Sequence, residues 1–157
     1  MSIKIAQYKG KSFTSKVIKR VTKGEYSHTA IILEDGRIIE AWQGCNKVRV
    51  ISDLSEGHSP GTPVDIYNVS MNSAQKKRFT EFVEAQIGKK YDYKGLVGFY
   101  FNSGVQNEDK WFCSELFAAA CIYAEAYILH NLLPYQTSPH LASVSPKTHY
   151  IKSTVTV

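Results

Sequence analysis

The chain has 157 residues, of which 43% are hydrophobic, 21% charged and 12% aromatic, with a formal net charge of +5. That length predicts one domain spanning residues 1–157 with its own core, and that composition excludes a disordered or fibrous chain. Three cysteines, Cys45, Cys113 and Cys121, are odd in number and sparse, which argues against a disulfide framework and for a reducing compartment.

Residues 1–9 hold no continuous apolar run and no small-residue cleavage site, so a cytoplasmic protein is expected, with unconventional export as the alternative. Ile3, Ile5, Gln7 and Tyr8 predict a short strand that stops at Gly10. From Ser12 the apolar residues Phe13, Val17, Ile18 and Val21 recur at helical spacing, and Gly24 is the natural stop. Lys16, Lys19, Arg20 and Lys23 lie outside that stripe. They read as a solvated basic face, the alternative being contact with an anionic substrate or lipid.

Residues 28–33 and 37–42 are rich in β-branched and aliphatic side chains, and Asp35-Gly36 between them signals a hairpin. Residues 47–51 alternate and continue the sheet, and residues 64–69 supply another strand after a turn-rich stretch at 55–63. Asn72 or Ser73 caps a helix with Phe79, Phe82, Val83 and Ile87 on one face and Gly88 at its end. A glycine-punctuated aromatic segment follows at 90–99, then a polar loop through Asn107, Glu108 and Asp109. Residues 116–133 form the longest apolar stretch. Glu125, His130 and Asn131 interrupt it, so it reads as a core helix and not as a membrane span. Pro134, Pro139 and Pro146 break up the tail, and residues 148–157 predict a last strand.

The chemistry centres on Phe112-Cys113-Ser114-Glu115-Leu116, at the mouth of that helix. A helix N-terminus carries roughly half a positive charge, which favours thiolate over thiol and predicts a lowered cysteine pKa. The alternative is an inert, half-buried cysteine. Cys121, eight residues on and nearly on the same face, reads as core. A thiol nucleophile needs a base, and the base needs an orienting group. His28 opens a strand from which a ring projects toward the facing helix, and Glu40 lies twelve residues on, across the hairpin, in an apolar setting where a carboxylate needs a partner. A two-residue turn at Asp35-Gly36 would pair Glu40 with Ile31 and set it opposite His28. A bulge or three-residue loop with a left-handed Gly36 restores the parity; without one, Gln43 is the better orienter. His140 and His149 are alternative bases, and His58, in a glycine- and proline-rich loop, is expected at the surface. No Cys-x-x-Cys or His-Glu-x-x-His spacing occurs, so neither metal nor cofactor is expected, and no nucleic-acid-binding module is present.

Tyr26-Ser27-His28 entering an aliphatic strand, then Glu40-Ala41-Trp42, then Gly88 through Tyr91-Asp92-Tyr93, then Phe112-Cys113-Ser114-Glu115-Leu116, resembles the circularly permuted NlpC-type branch of the papain-like cysteine peptidases, the YiiX/YaeF-like amidases. In that branch the histidine strand precedes the cysteine helix. The resemblance implies an α+β fold, with a curved antiparallel sheet of five or six strands packed on the helix bearing Cys113 and with flanking helices. It implies Cys113 as nucleophile, His28 as general base and Glu40 as the residue orienting the imidazole. It further implies a cleft lined by Tyr91, Tyr93, Ser27 and Trp42, with Tyr91 or Tyr93 as oxyanion donor. The activity implied is hydrolysis of peptide or aminoacyl amides, including cell-wall peptides. The alternatives are acyl-lipid chemistry of the lecithin:retinol acyltransferase-like type, with residues 96–101 as an apolar entrance, and a catalytically idle binding module.

Overall fold

A computed structural model describes residues 2–91, 110–128 and 136–157. Its strands and helices follow in the order β1 (Lys4–Tyr8), α1 (Phe13–Thr22), β2 (His28–Ile32), β3 (Ile38–Trp42), β4 (Lys47–Ile51), β5 (Pro63–Val69), α2 (Ser73–Ala85), β6 (Lys90–Tyr91), β7 (Lys110–Trp111), α3 (Cys113–Tyr123), α4 (Pro139–Ser143) and β8 (Thr148–Val155). The architecture is α+β. The eight described strands form one sheet in the order β7-β6-β4-β3-β2-β1-β5-β8, antiparallel throughout except between β6 and β7. The expected five or six strands are thus extended by two-residue strands at one edge.

The helix ends obey local rules. Ser12 caps α1 by accepting the amide of Ser15, and Asn72 with Gln75 forms a reciprocal capping box at the start of α2. The helix beginning at Cys113 does not run to residue 133. It stops at Tyr123, because Glu125 turns left-handed with φ of 55° while its amide bonds Ile122 and that of Ala126 bonds Cys121. Those paired bonds are a Schellman ending, which satisfies the last carbonyls without a glycine. Residues 129–133 of the apolar stretch lie outside the described residues. No helix among the described residues is long and apolar enough to cross a membrane.

Both faces of the sheet are buried. On one, Ile3, Ile5, Ile31, Ile39, Ala41 and Val48 pack against Phe79 and Val83 of α2 and Leu116, Phe117 and Ala120 of α3. On the other, Ala6, Tyr8, Ala30, Ile38, Ile51 and Val64 form a second cluster, closed over by Leu54. Strand side chains alternate between faces, so each strand serves both cores in turn.

The β2–β3 hairpin sets which residues share a face. Leu33 donates its amide to Arg37 at 2.9 Å and Gly36 donates back to Leu33 at 3.1 Å, closing a three-residue loop over residues 34–36. Ile31 therefore pairs with Ile39 and Ile32 with Ile38, which puts His28, Ala30, Glu40 and Trp42 on one face. Gly36 has φ of 90° and open space where a Cβ would stand, so its cost on substitution is purely conformational. Gly36→Ala is expected to lower stability by about 1–2 kcal/mol, read as a lower urea midpoint at unchanged slope.

Candidate active site

Glu40 is the best-held side chain in the molecule. It stands in the middle of β3, is 1% exposed, and both of its oxygens are occupied. Nε2 of His28 lies 2.7 Å from Oε2, and Nε2 of His58 approaches the same oxygen at 3.0 Å. Oε1 accepts from Arg49 twice, from Nε at 2.9 Å and from Nη2 at 2.7 Å. Arg49 faces Glu40 directly across β3 and β4, and its second bond from Nη2 goes to the carbonyl of Glu56 at 2.8 Å. Gln43, the alternative orienter, begins the short turn after β3 and lines the cavity beside His28 and His58.

The expected surface position of His58 is overturned. Its side chain is 5% exposed, stacks on Tyr8 with ring centroids 4.1 Å apart, and packs on Trp42 at 4.4 Å. Neither contact is local in sequence, so a glycine- and proline-rich loop gives no sign of them. Arg49 carries the one available signal: a cation in the alternating strand beside a buried acid. Trp42 edges against His28 at 5.2 Å and also lies under the Arg49 guanidinium at 5.3 Å.

Burial alone would raise the Glu40 carboxyl, but the paired imidazoles of His28 and His58 outweigh it and hold the group well below the usual carboxylate range. Burial also pushes the His28 pKa down, against the attraction of Glu40, so the resting ring is neutral. An ionised carboxylate only accepts hydrogen bonds, so the proton of neutral His28 sits on Nε2 and its lone pair on Nδ1.

Cys113 is the first residue of α3 and is 2% exposed. Phe112 precedes it with its amide bonded to Oε2 of Glu115 at 3.2 Å, one half of a capping box. The expectation of a lowered pKa fails here. Burial pushes the thiol up to about 12, against the backbone amides of Thr29 and Ser114, and the Glu40 charge raises it further. A helix end is weaker than full desolvation at this site.

The sulfur thus lies against the amide of Thr29, the residue after His28, and within the electrostatic reach of Glu40. His28 shares its face of the sheet with Tyr8 and Glu40, while Thr29, the next residue, meets the sulfur through its amide. Among the described residues no hydrogen bond joins the sulfur to either nitrogen of His28.

A cavity of about 200 Å³ opens on the His28 face, lined by Tyr8, Ser27, His28, Trp42, His58 and Tyr91 together with the first turn of α1. Cys113 is not among its lining residues. Ser27 clips the backbone there, accepting from Gly10 at 3.0 Å and donating to the carbonyl of Tyr8 at 3.2 Å. Tyr91 is buried, edge-on to Phe112 at 6.1 Å. Tyr93 and residues 96–101 lie outside the described residues. His140 sits in α4 with a buried Nδ1 that has no partner, and His149 bonds Ser70 on the exposed strand β8; neither approaches Cys113 through a hydrogen bond.

These features define a class of α+β protein in which one antiparallel sheet carries a cysteine-headed helix on one face and a buried histidine–carboxylate cluster on the other. No protein-family model and no curated protein matches the chain. Among solved structures it is similar to the metalloprotein YiiX of Escherichia coli O157:H7, DUF1105, with a TM-score of 0.70 at 16% identity, over 98% of this chain and 97% of that one. The fold is YiiX-like.

Acid should dismantle the Glu40 cluster in two stages. His28 holds its proton less well folded than unfolded, so stability present above the unfolded value of about 6.5 is lost as pH falls through it. Glu40, depressed in the fold, contributes stability that is present above about 4.3 and lost as pH falls below it. Thermal unfolding from pH 8 to 3 should show both steps. Glu40→Gln should remove the lower step and cost about 1–3 kcal/mol at neutral pH, since it leaves the half-buried Arg49 facing a neutral amide.

Proposed function

We propose that the chain is a cysteine-dependent amide hydrolase of the permuted papain-like type, with Cys113 as nucleophile, His28 as general base and Glu40 as the residue that orients it. The observation that carries this reading is the arrangement around β2. A buried, ionised carboxylate fixes the Nε2–H form of His28 at 2.7 Å, and the sulfur heading α3 lies against the next backbone amide along the strand. Nδ1 is then the nitrogen with a lone pair for the thiol proton. With a thiol pKa of about 12 the nucleophile rests as the neutral thiol, so proton transfer accompanies attack.

The Cys113 sulfur forms a bond to the substrate carbonyl carbon as its proton passes to Nδ1 of His28. The carbonyl electrons move to oxygen, where the amides at the start of α3 stabilise the charge as the sulfur gives them up. Collapse breaks the carbon–nitrogen bond, and His28 returns the proton to the leaving amine. Water, deprotonated by the same Nδ1, then releases the acyl group from the thioester. Peptide and aminoacyl amides, cell-wall peptides included, are the substrates this reading favours.

A second reading has its own support. His28, Glu40 and His58 offer three ligand atoms within 4.8 Å of one another, and the YiiX neighbour is described as a metalloprotein. Two imidazoles and a carboxylate suit zinc in donor type, and a metal held there by His28, His58 and Glu40 would activate a water. The spacing speaks less for it. Tetrahedral zinc ligands at about 2.1 Å stand roughly 3.4 Å apart, whereas the nitrogens here lie 2.7 and 3.0 Å from Oε2, at hydrogen-bonding distance.

Incubating the purified protein with peptide amides and wall peptides, with acid quench and intact mass measurement, decides between them. Trapped acyl adducts on Cys113, none in Cys113→Ala, and a fall of about 10²–10⁴-fold in His28→Ala are expected. Hydrolysis that survives Cys113→Ala and disappears with a chelator would transfer the activity to the histidine–carboxylate cluster.

A further inference from the structure

The basic face of α1, a solvated surface by sequence alone, takes a sharper shape in three dimensions. Ile18 is the one buried residue of the helix. At 100° per residue the side directly opposite Ile18 carries Phe13, Lys16 and Arg20, with Lys23 in line at the left-handed cap. Phe13 is 82% exposed, a whole aromatic ring standing in water at the first turn. The helix contains no acidic residue, and among the described residues Lys16, Arg20 and Lys23 form no ion pair. The nearest acid in sequence, Glu25, is engaged by Lys9 at 3.2 Å.

We propose that this face of α1 seats the protein on the surface of an anionic lipid bilayer. The two kinds of residue divide the work. Lys16, Arg20 and Lys23 meet lipid phosphates while their methylene stems lie along the boundary, and Phe13 enters the acyl margin beneath them. Each cation beside an anionic leaflet strengthens binding about fivefold, so three of them favour it over a neutral leaflet by roughly 100-fold. A duplex nucleic acid or anionic wall polymer matches the charge but gives the exposed ring no apolar layer to enter. The same first turn, with Lys11 and Ser12, lines the cavity that leads to His28 and His58. The α1 residues that line it, Thr14, Ser15 and Ile18, lie on the inward side of the helix, opposite the proposed lipid face. The docking face stands on the helix surface alone and does not depend on Cys113 chemistry.

Co-sedimentation with vesicles of phosphatidylcholine, with and without about one-third phosphatidylglycerol, tests it. The full chain should pellet with anionic vesicles only, and about 0.5 M salt should release most of it. Lys16→Glu should weaken binding about tenfold, while Lys77→Glu, an exposed reversal of the same size on α2, should leave it within about twofold. Phe13→Ser should weaken binding several-fold at unchanged net charge. The indole introduced by Phe13→Trp should shift its emission to the blue on anionic vesicles, and far-ultraviolet dichroism checks that each variant is folded. Equal pelleting with neutral vesicles, equal losses from Lys16→Glu and Lys77→Glu, or an emission spectrum of Phe13→Trp unmoved by lipid would overturn the proposal. So would heparin binding that is as strong as lipid binding and indifferent to Phe13→Ser.

Discussion

A carboxylate in the middle of a buried strand organises one whole side of this protein. Glu40 has no water to solvate it, and its charge is tolerable only because Arg49 meets one oxygen and two imidazoles meet the other. The partners come from different places: β2 gives His28, β4 gives Arg49, and the loop before β5 gives His58. Losing any one leaves a buried charge without its complement. The cluster therefore locks the hairpin register, the neighbouring strand and the overlying loop into one arrangement.

The sheet backbone separates two chemical environments. On the α3 side the thiol sits among Ile31, Ala41 and Phe112 and is driven toward neutrality. On the other side the same strand presents an ionised carboxylate and a neutral imidazole at a polar cavity. The amide of Thr29 lies at the join, facing the sulfur, with His28 as its immediate neighbour in the chain. A thiol that burial holds above the physiological range cannot gain nucleophilicity from the helix end alone. In the proposed hydrolase its activation has to come from a base acting during attack, and that makes the tautomer imposed by Glu40 the decisive detail.

The readable parts of the fold were those governed by local rules. The left-handed Gly36 allows a three-residue loop, and that loop brings Glu40 onto the His28 face, the alternative left open by the Asp35-Gly36 signal. Asn72, one of the two capping candidates, does open α2. What sequence hid was decided by distant contacts. His58 is buried only because Tyr8 offers its ring face, and the residues around it in the chain carry no trace of that. The ending of α3 was hidden for another reason: a Schellman turn usually advertises itself with glycine, and here Glu125 takes the left-handed position.

The placement of the cavity gives the molecule a direction. It opens between the α1 entrance and the Glu40 cluster, while Cys113 is reached from the far side of β2. Lys11 and Ser12 border that cavity together with His28 and His58. Tyr91 borders the cavity on one side and packs against Phe112, the residue before the thiol, on the other. Tyr91, like Ile18, both borders the cavity and belongs to the core on the α3 side, and its aromatic contact with Phe112 links the cavity wall to the start of α3.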